Sequence, residues 1–196
     1  VIVVLGRPGL DERGALDRLA GAIAAAAMQA GIPVELVGSV ADDATGDATI
    51  TELGRRGIGH AAVLRMPANG DRDGDRDGTT RLDAADIELG LRYVNDCRVL
   101  VVADRLDEAG LAAAIGGARY HSAQLVLTAA PGAAARAQLP VDATVLESPD
   151  EDEGAFAQLV GRYAAQLDAG RGPADAWRDA VAATGWEQSE RAEDEA

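Results

Sequence analysis

This chain contains no lysine. All 18 of its basic residues are arginine, set against 33 acidic residues, for a net charge of −15 over 196 residues. The missing lysine excludes Schiff-base chemistry and the Walker-type phosphate loop, which both need that amine. The deficit of positive charge excludes a sequence-independent grip on nucleic acid and on anionic membrane surfaces. A single cysteine, Cys97, excludes an internal disulfide and fits a reducing cytoplasm. Aromatic residues make up 3% of the chain while hydrophobic residues make up 47%. Alanine, valine, leucine and isoleucine must therefore build the core, and small side chains let helices lie close to a sheet. No apolar run reaches membrane-spanning length, and the opening Val1–Leu5 run is too short and lacks the basic flank of a signal peptide.

What is present alternates between two periods. Short apolar runs at Val1–Leu5, Val34–Val37, His60–Arg65, Val99–Val102, Leu125–Leu127 and Thr144–Leu146 read as strands. Between them lie stretches with helical spacing: from Asp11 or Asp17 to Gln29, Asp43–Arg56, Asp83–Val94 and Asp107–Arg119. Two more follow the last strand, at Glu151–Leu167 and Ala174–Ala183. Strand–helix alternation implies an α/β domain with a mainly parallel sheet covered on both faces. One domain over residues 1–186 is expected, with a flexible acidic loop at 67–81 and a disordered acidic tail at 187–196.

Several charged groups invite a chemical reading. The Asp73, Asp75, Asp77, Gly78 series matches the opening of a calcium loop, but position twelve is Ala84, so a solvated charge run is preferred. Asp42 and Asp43 are adjacent carboxylates, for which Asp43 as a helix N-cap is the simpler account. Asp150, Glu151, Asp152 and Glu153 offer oxygen ligands for hydrated magnesium. They equally suit the first turn of a helix, where the macrodipole favours acids, and that reading is preferred. His60 and His121 lack a motif, and Ser39, Ser122 and Ser148 lack a nucleophile elbow.

The stretch Val34–Gly57, VELVGSVADDATGDATITELGRRG, reads strand, acidic turn, helix. It resembles the early signature of the PfkB-type (ribokinase-like) carbohydrate kinases, a hydrophobic strand followed by Gly-x-Val-Gly-Asp-Asp-x-x-Gly. Gly38, Val40, Asp42, Asp43 and Gly46 match, and Ala41 stands at the middle glycine. Further on, the run from Arg98 to Gly132 resembles the family's strand–helix–strand unit ending in an Ala-Pro turn. TVLESPDEDEGAFAQLVG resembles its strand followed by Pro-Asn-x-x-Glu and a helix, with Pro149, Glu153 and Gly161 matching and Asp150 in place of the Asn. In a second register, GAFAQLVGRYAAQLDAG echoes the helix that follows the family's catalytic Gly-x-Gly-Asp.

The resemblance implies a three-layer, Rossmann-like ribokinase sandwich in a shortened form, with the lid and the C-terminal third missing. It implies a sugar or nucleoside ligand, with ATP and magnesium as cofactors if any family activity is retained. Gly6 and Asp11 fall at the spacing at which the family places an Asp on sugar hydroxyls, so both are candidate substrate-binding residues; Asp11 as a helix cap is the competing reading. Asp150 and Glu153 are the candidates near the nucleotide and metal. Three features depart from the family. No Gly-x-Gly-Asp occurs anywhere in the chain, so no catalytic residue is assigned. The family's Gly-Gly-x-x-x-Asn maps to Asp17–Ala22, DRLAGA, without glycines or Asn at the matching places. The segment after Asp11 is too short for a β-stranded lid. The expectation is a kinase-like protein without phosphotransfer, serving as a binding or regulatory protein. An active kinase completed by another chain, or a self-associating structural module, are the alternatives.

Overall fold

The computed structural model describes residues 1–67, 82–130, 139–148 and 153–186. Six strands are β1 (Ile2–Leu5), β2 (Val34–Ala41), β3 (Gly59–Met66), β4 (Val99–Val102), β5 (Gln124–Ala129) and β6 (Thr144–Glu147). Six helices are α1 (Leu19–Gln29), α2 (Ala44–Arg55), α3 (Ala84–Tyr93), α4 (Glu108–His121), α5 (Glu153–Asp168) and α6 (Pro173–Thr184). The strands form one sheet in the order β3-β2-β1-β4-β5-β6, with every neighbouring pair parallel.

The continuous apolar runs sit where both faces are covered. In β1, Ile2 and Val4 point into the layer of α1, α2, α5 and α6, while Val3 and Leu5 point into the layer of α3 and α4. β4 divides in the same way, Val99 and Val101 to one side and Leu100 and Val102 to the other. A strand buried on both faces has no reason to alternate with polar residues.

The first layer is closed by contact between α1 and α5. Seven residues of α1 are buried, five of them alanine, and α5 crosses them at Gly161. A Cβ on Gly161 would lie 2.6 Å from Ala26 Cβ and 2.9 Å from the Ile23 carbonyl oxygen. The scarce aromatics gather here too. Tyr163 meets Trp177 edge to face at 5.9 Å, and Phe156 meets Trp186 at 6.2 Å. Tyr163 is buried with its hydroxyl 3.1 Å from Thr144 Oγ1, which satisfies its polar tip.

Two expected boundaries move. Neither Asp11 nor Asp17 caps α1, which begins at Leu19 with Arg18 at the N-cap and no side-chain cap bond. A bridge between Leu10 and Leu16 and a turn around Asp11 hold the preceding residues as a loop. Leu16, buried, then packs over Gly21 at the head of the helix. β2 runs on from Val37 to Ala41, because Gly38 lets the neighbouring chain approach and Ser39 and Val40 stay buried. The acidic loop, beyond Pro67, and the acidic tail lie outside the described residues, as do Asp73, Asp75, Asp77 and Gly78.

Cys97 is buried at the start of β4, its thiol 3.6 Å from the Val99 carbonyl oxygen. Burial pushes its pKa from 9.0 up to about 12. The unfolded thiol ionises first, so stability is held in full below pH 9.0 and declines as pH rises towards about 12. Two outcomes are expected. Ellman's reagent should label Cys97 in denaturant and not in the native protein at pH 8. Cys97→Ala should flatten the alkaline part of the stability profile. Rapid native labelling would show a thiolate that this burial forbids.

Candidate functional site

Strand order reverses between β1 and β4. From β1 the chain steps outward through α1 to β2 and α2 to β3, then returns through α3 to β4 on the other side. In open parallel sheets the crevice outside the carboxyl ends of the strands at such a reversal is where ligands bind. Here those ends are Gly6 and Arg7 after β1, and Ala103 and Asp104 after β4.

Gly6 belongs at this point because nothing larger fits. A Cβ there would lie 2.9 Å from Ala20 Cβ and 3.3 Å from the Ala103 carbonyl carbon. Its amide donates to the Val37 carbonyl at 2.9 Å, and the Ala103 amide donates to the Leu5 carbonyl at 2.8 Å, so the ladders continue past the strand ends. Gly38 is the counterpart on β2: a Cβ there would collide with the Gly6 carbonyl oxygen.

Arg7 reaches across the reversal to Asp104. Its Nε donates to Oδ2 at 2.6 Å and its Nη2 to Oδ1 at 3.3 Å, a bidentate pair with side chains 11% and 15% exposed. Asp104 Oδ1 also accepts the Arg105 amide at 2.8 Å. The motif reading of the sequence missed both residues. The available signal was a charged residue one or two places past each of two buried strands, which gains meaning only once the strands are known to be neighbours.

Asp11 lies on the loop leaving β1. Its Oδ1 accepts the amides of Arg13 and Ala15, each at 2.8 Å, so one carboxylate oxygen is fixed by its own turn. Asp42 and Asp43 do not act as a pair. Asp43 caps α2 by accepting the Gly46 amide at 2.9 Å, while Asp42 is 3.9 Å from Arg65, which also binds Asp47. Gly46 is required because a Cβ would collide with the Ala41 carbonyl oxygen. Both glycines of the signature therefore answer to backbone crowding, and its second Asp to capping.

Glu153 stands exposed in the first turn of α5, beyond β6. Its helix crosses back from β6 to lie along α1, with Gly161 against Ile23 and Ala26. Asp150 lies outside the described residues. Among the described residues no group of three His, Cys, Asp or Glu side chains is placed to hold a metal ion. Nor is any described helix long and apolar enough to cross a membrane.

Comparison with solved structures places this architecture. A protein assigned as a ribokinase II from E. coli, in complex with ATP and magnesium, superposes with a TM-score of 0.62 at 14% identity over 93% of this chain and 91% of that one. One assigned as a phosphofructokinase from Staphylococcus aureus gives 0.62 at 12% identity over 94% and 90%. A point mutant of phosphofructokinase-2 from Escherichia coli gives 0.60 at 14% identity over 93% and 91%. No family model matches the chain, and no match to a curated protein is significant. The fold is therefore that of the PfkB-type, ribokinase-like carbohydrate kinases, as the Gly38–Gly46 resemblance implied.

Proposed function

We propose that the protein binds an uncharged polyhydroxylated ligand, a sugar or a nucleoside, at the carboxyl edge of its sheet beside Gly6 and Asp11. In this reading it is a binding or regulatory protein and does not transfer phosphate. The observation that carries it is the charge of that edge. Arg7, the cation at the strand reversal, is held bidentate by Asp104, and the neighbouring strand ends present Asp42, Asp43 and Asp107. A triphosphate entering there meets the carboxylates that cap and open α2, α3 and α4, whereas α1 alone of these helices starts without acid in its first turn. Hydroxyl groups are suited to the same surroundings, because carboxylate oxygens accept their protons. Asp11 supplies one such group on a backbone fixed by its turn, on the loop that leaves β1 at Gly6. The neighbours are assigned as ribokinase and phosphofructokinase, and one holds ATP and magnesium. Sugars and nucleosides are thus the first ligands to try.

The test is a thermal-shift series with sugars, nucleosides, ADP and ATP–magnesium. A rise in melting temperature with a sugar or nucleoside alone, lost in Asp11→Ala, is expected. A rise with ATP–magnesium would overturn the non-catalytic part of this reading and direct a turnover assay to Asp150 and Glu153. No rise with any ligand would overturn the binding site itself.

A further inference from the structure

We propose that α3 and α4 form a two-fold interface with a second copy of this chain. These helices lie side by side, and a cavity of about 670 Å³ opens between them, floored by small residues such as Ala112, Ala113 and Gly116. Leu89, Tyr93 and Tyr120 on the same two helices are 48%, 68% and 81% exposed, an apolar display that a solvated helix face has no use for.

The occupant follows from register and charge. Residue 87 of α3 lies level with residue 110 of α4, where a Cβ on Gly110 would be 3.2 Å from Ile87 Cδ1. Residue 91 lies level with 117, where a Cβ on Gly117 would collide with Leu91, and His121 Nε2 is 3.1 Å from the Leu91 carbonyl oxygen. The helices are therefore parallel, and the level of Gly90 on α3 is the level between Ala114 and Ile115 on α4. One two-fold axis lying in this face and crossing both helices at that level satisfies both at once. Across it α3 pairs antiparallel with α3, bringing Glu88 to Arg92 of the second copy and Arg92 to its Glu88. α4 pairs antiparallel with α4, setting Tyr120 over Ala109 of the second copy and Glu108 beside its His121. Above Gly116 the space within 4 Å is empty, leaving room for close approach.

The charges fit this arrangement. Each helix carries acid towards its start, Asp86 and Glu108, and base towards its end, Arg92 and Arg119. Antiparallel pairing matches the two signs, which parallel pairing would not. The chain carries −15 overall, so a random encounter between copies is repulsive and a locally balanced face is where they can meet. Glu88 and Arg92 now meet only loosely within their own helix, at 3.8 Å and largely exposed, so little is lost in exchanging partners.

Sedimentation velocity over a concentration series tests this. The wild-type chain is expected to show a monomer–dimer equilibrium. Tyr120→Arg and Arg92→Glu should each weaken the dimer about tenfold or more, with circular dichroism unchanged, and melting unchanged at concentrations where the chain is monomeric, because both side chains are exposed. The exchange Glu88→Arg with Arg92→Glu should restore the dimer, since it regenerates both pairs across the axis. A wild-type chain that stays monomeric at every concentration overturns the proposal. So does a dimer insensitive to the single substitutions, or a charge exchange that fails to restore it.

Discussion

Gly38→Ala is expected to destabilise the protein by about 3 kcal/mol or more, and Gly38→Val to prevent folding. The first methyl group would be driven into the Gly6 carbonyl oxygen, and that oxygen belongs to a backbone with nowhere to go. Gly6 is fixed by its amide bond to Val37 at 2.9 Å and by Ala20 and Ala103 on its other sides. A side chain in the way can rotate; two paired strand ends can only separate. Ordinary overpacking costs about 1–3 kcal/mol, and this case belongs at or beyond the upper end because no rotamer relieves it. Against a total stability of about 5–15 kcal/mol, the loss is a large fraction. Gly54, exposed near the end of α2, is the control. A Cβ there meets only His60 Cε1 at 3.5 Å, so Gly54→Ala should leave stability unchanged or raise it by up to about 1 kcal/mol. Urea unfolding midpoints compare the two. Equal midpoints for Gly38→Ala and wild type would mean that β1 and β2 do not approach at Gly6 as described.

Gly38, with Gly46, also shows which parts of the fold were legible in the sequence. The apolar runs at Ile2–Leu5 and Val99–Val102 were plain because burial on both faces permits nothing else. The turn from Gly38 to Gly46 was readable because a backbone crowded by carbonyl oxygens tolerates only glycine, and a helix start wants an Asp. The loop after β1 was not readable: Asp11 serves a turn of its own, and the same residue type at a helix start would look identical in sequence. Nor was the outward face of α4. Ala112 is exposed while Ala113 and Ala114 are buried, and an alanine-rich helix carries no contrast between its sides. The centre of the candidate site was hidden for another reason. Arg7 and Asp104 stand 97 residues apart, and only the sheet order makes them neighbours.

That pair carries the second large effect. Asp104→Ala should destabilise the protein by about 2–3 kcal/mol, and Arg7→Ala by a similar amount. The side chains are 11% and 15% exposed, so removing one partner leaves a charge in a place where water compensates only in part. Full burial would raise the cost to about 3–5 kcal/mol, and the residual exposure keeps it below that range. The double variant Arg7→Met with Asp104→Leu should lose less than either single variant, because neither member of this pair is left charged without the other. The Arg105 amide, which also uses Asp104, is exposed and can turn to water. A double-mutant cycle from urea unfolding would therefore return strong coupling between the two positions. Additive losses would mean that Asp104 supports the strand ends through Arg105 and not through Arg7. The cycle also bears on the ligand. With Asp104 gone, the strand reversal loses a carboxylate, and inorganic phosphate should raise the melting temperature of Asp104→Ala more than that of the wild type. A wild-type chain that responds as strongly to phosphate would show that the carboxylate does not neutralise Arg7, and the case for an uncharged ligand would fall with it.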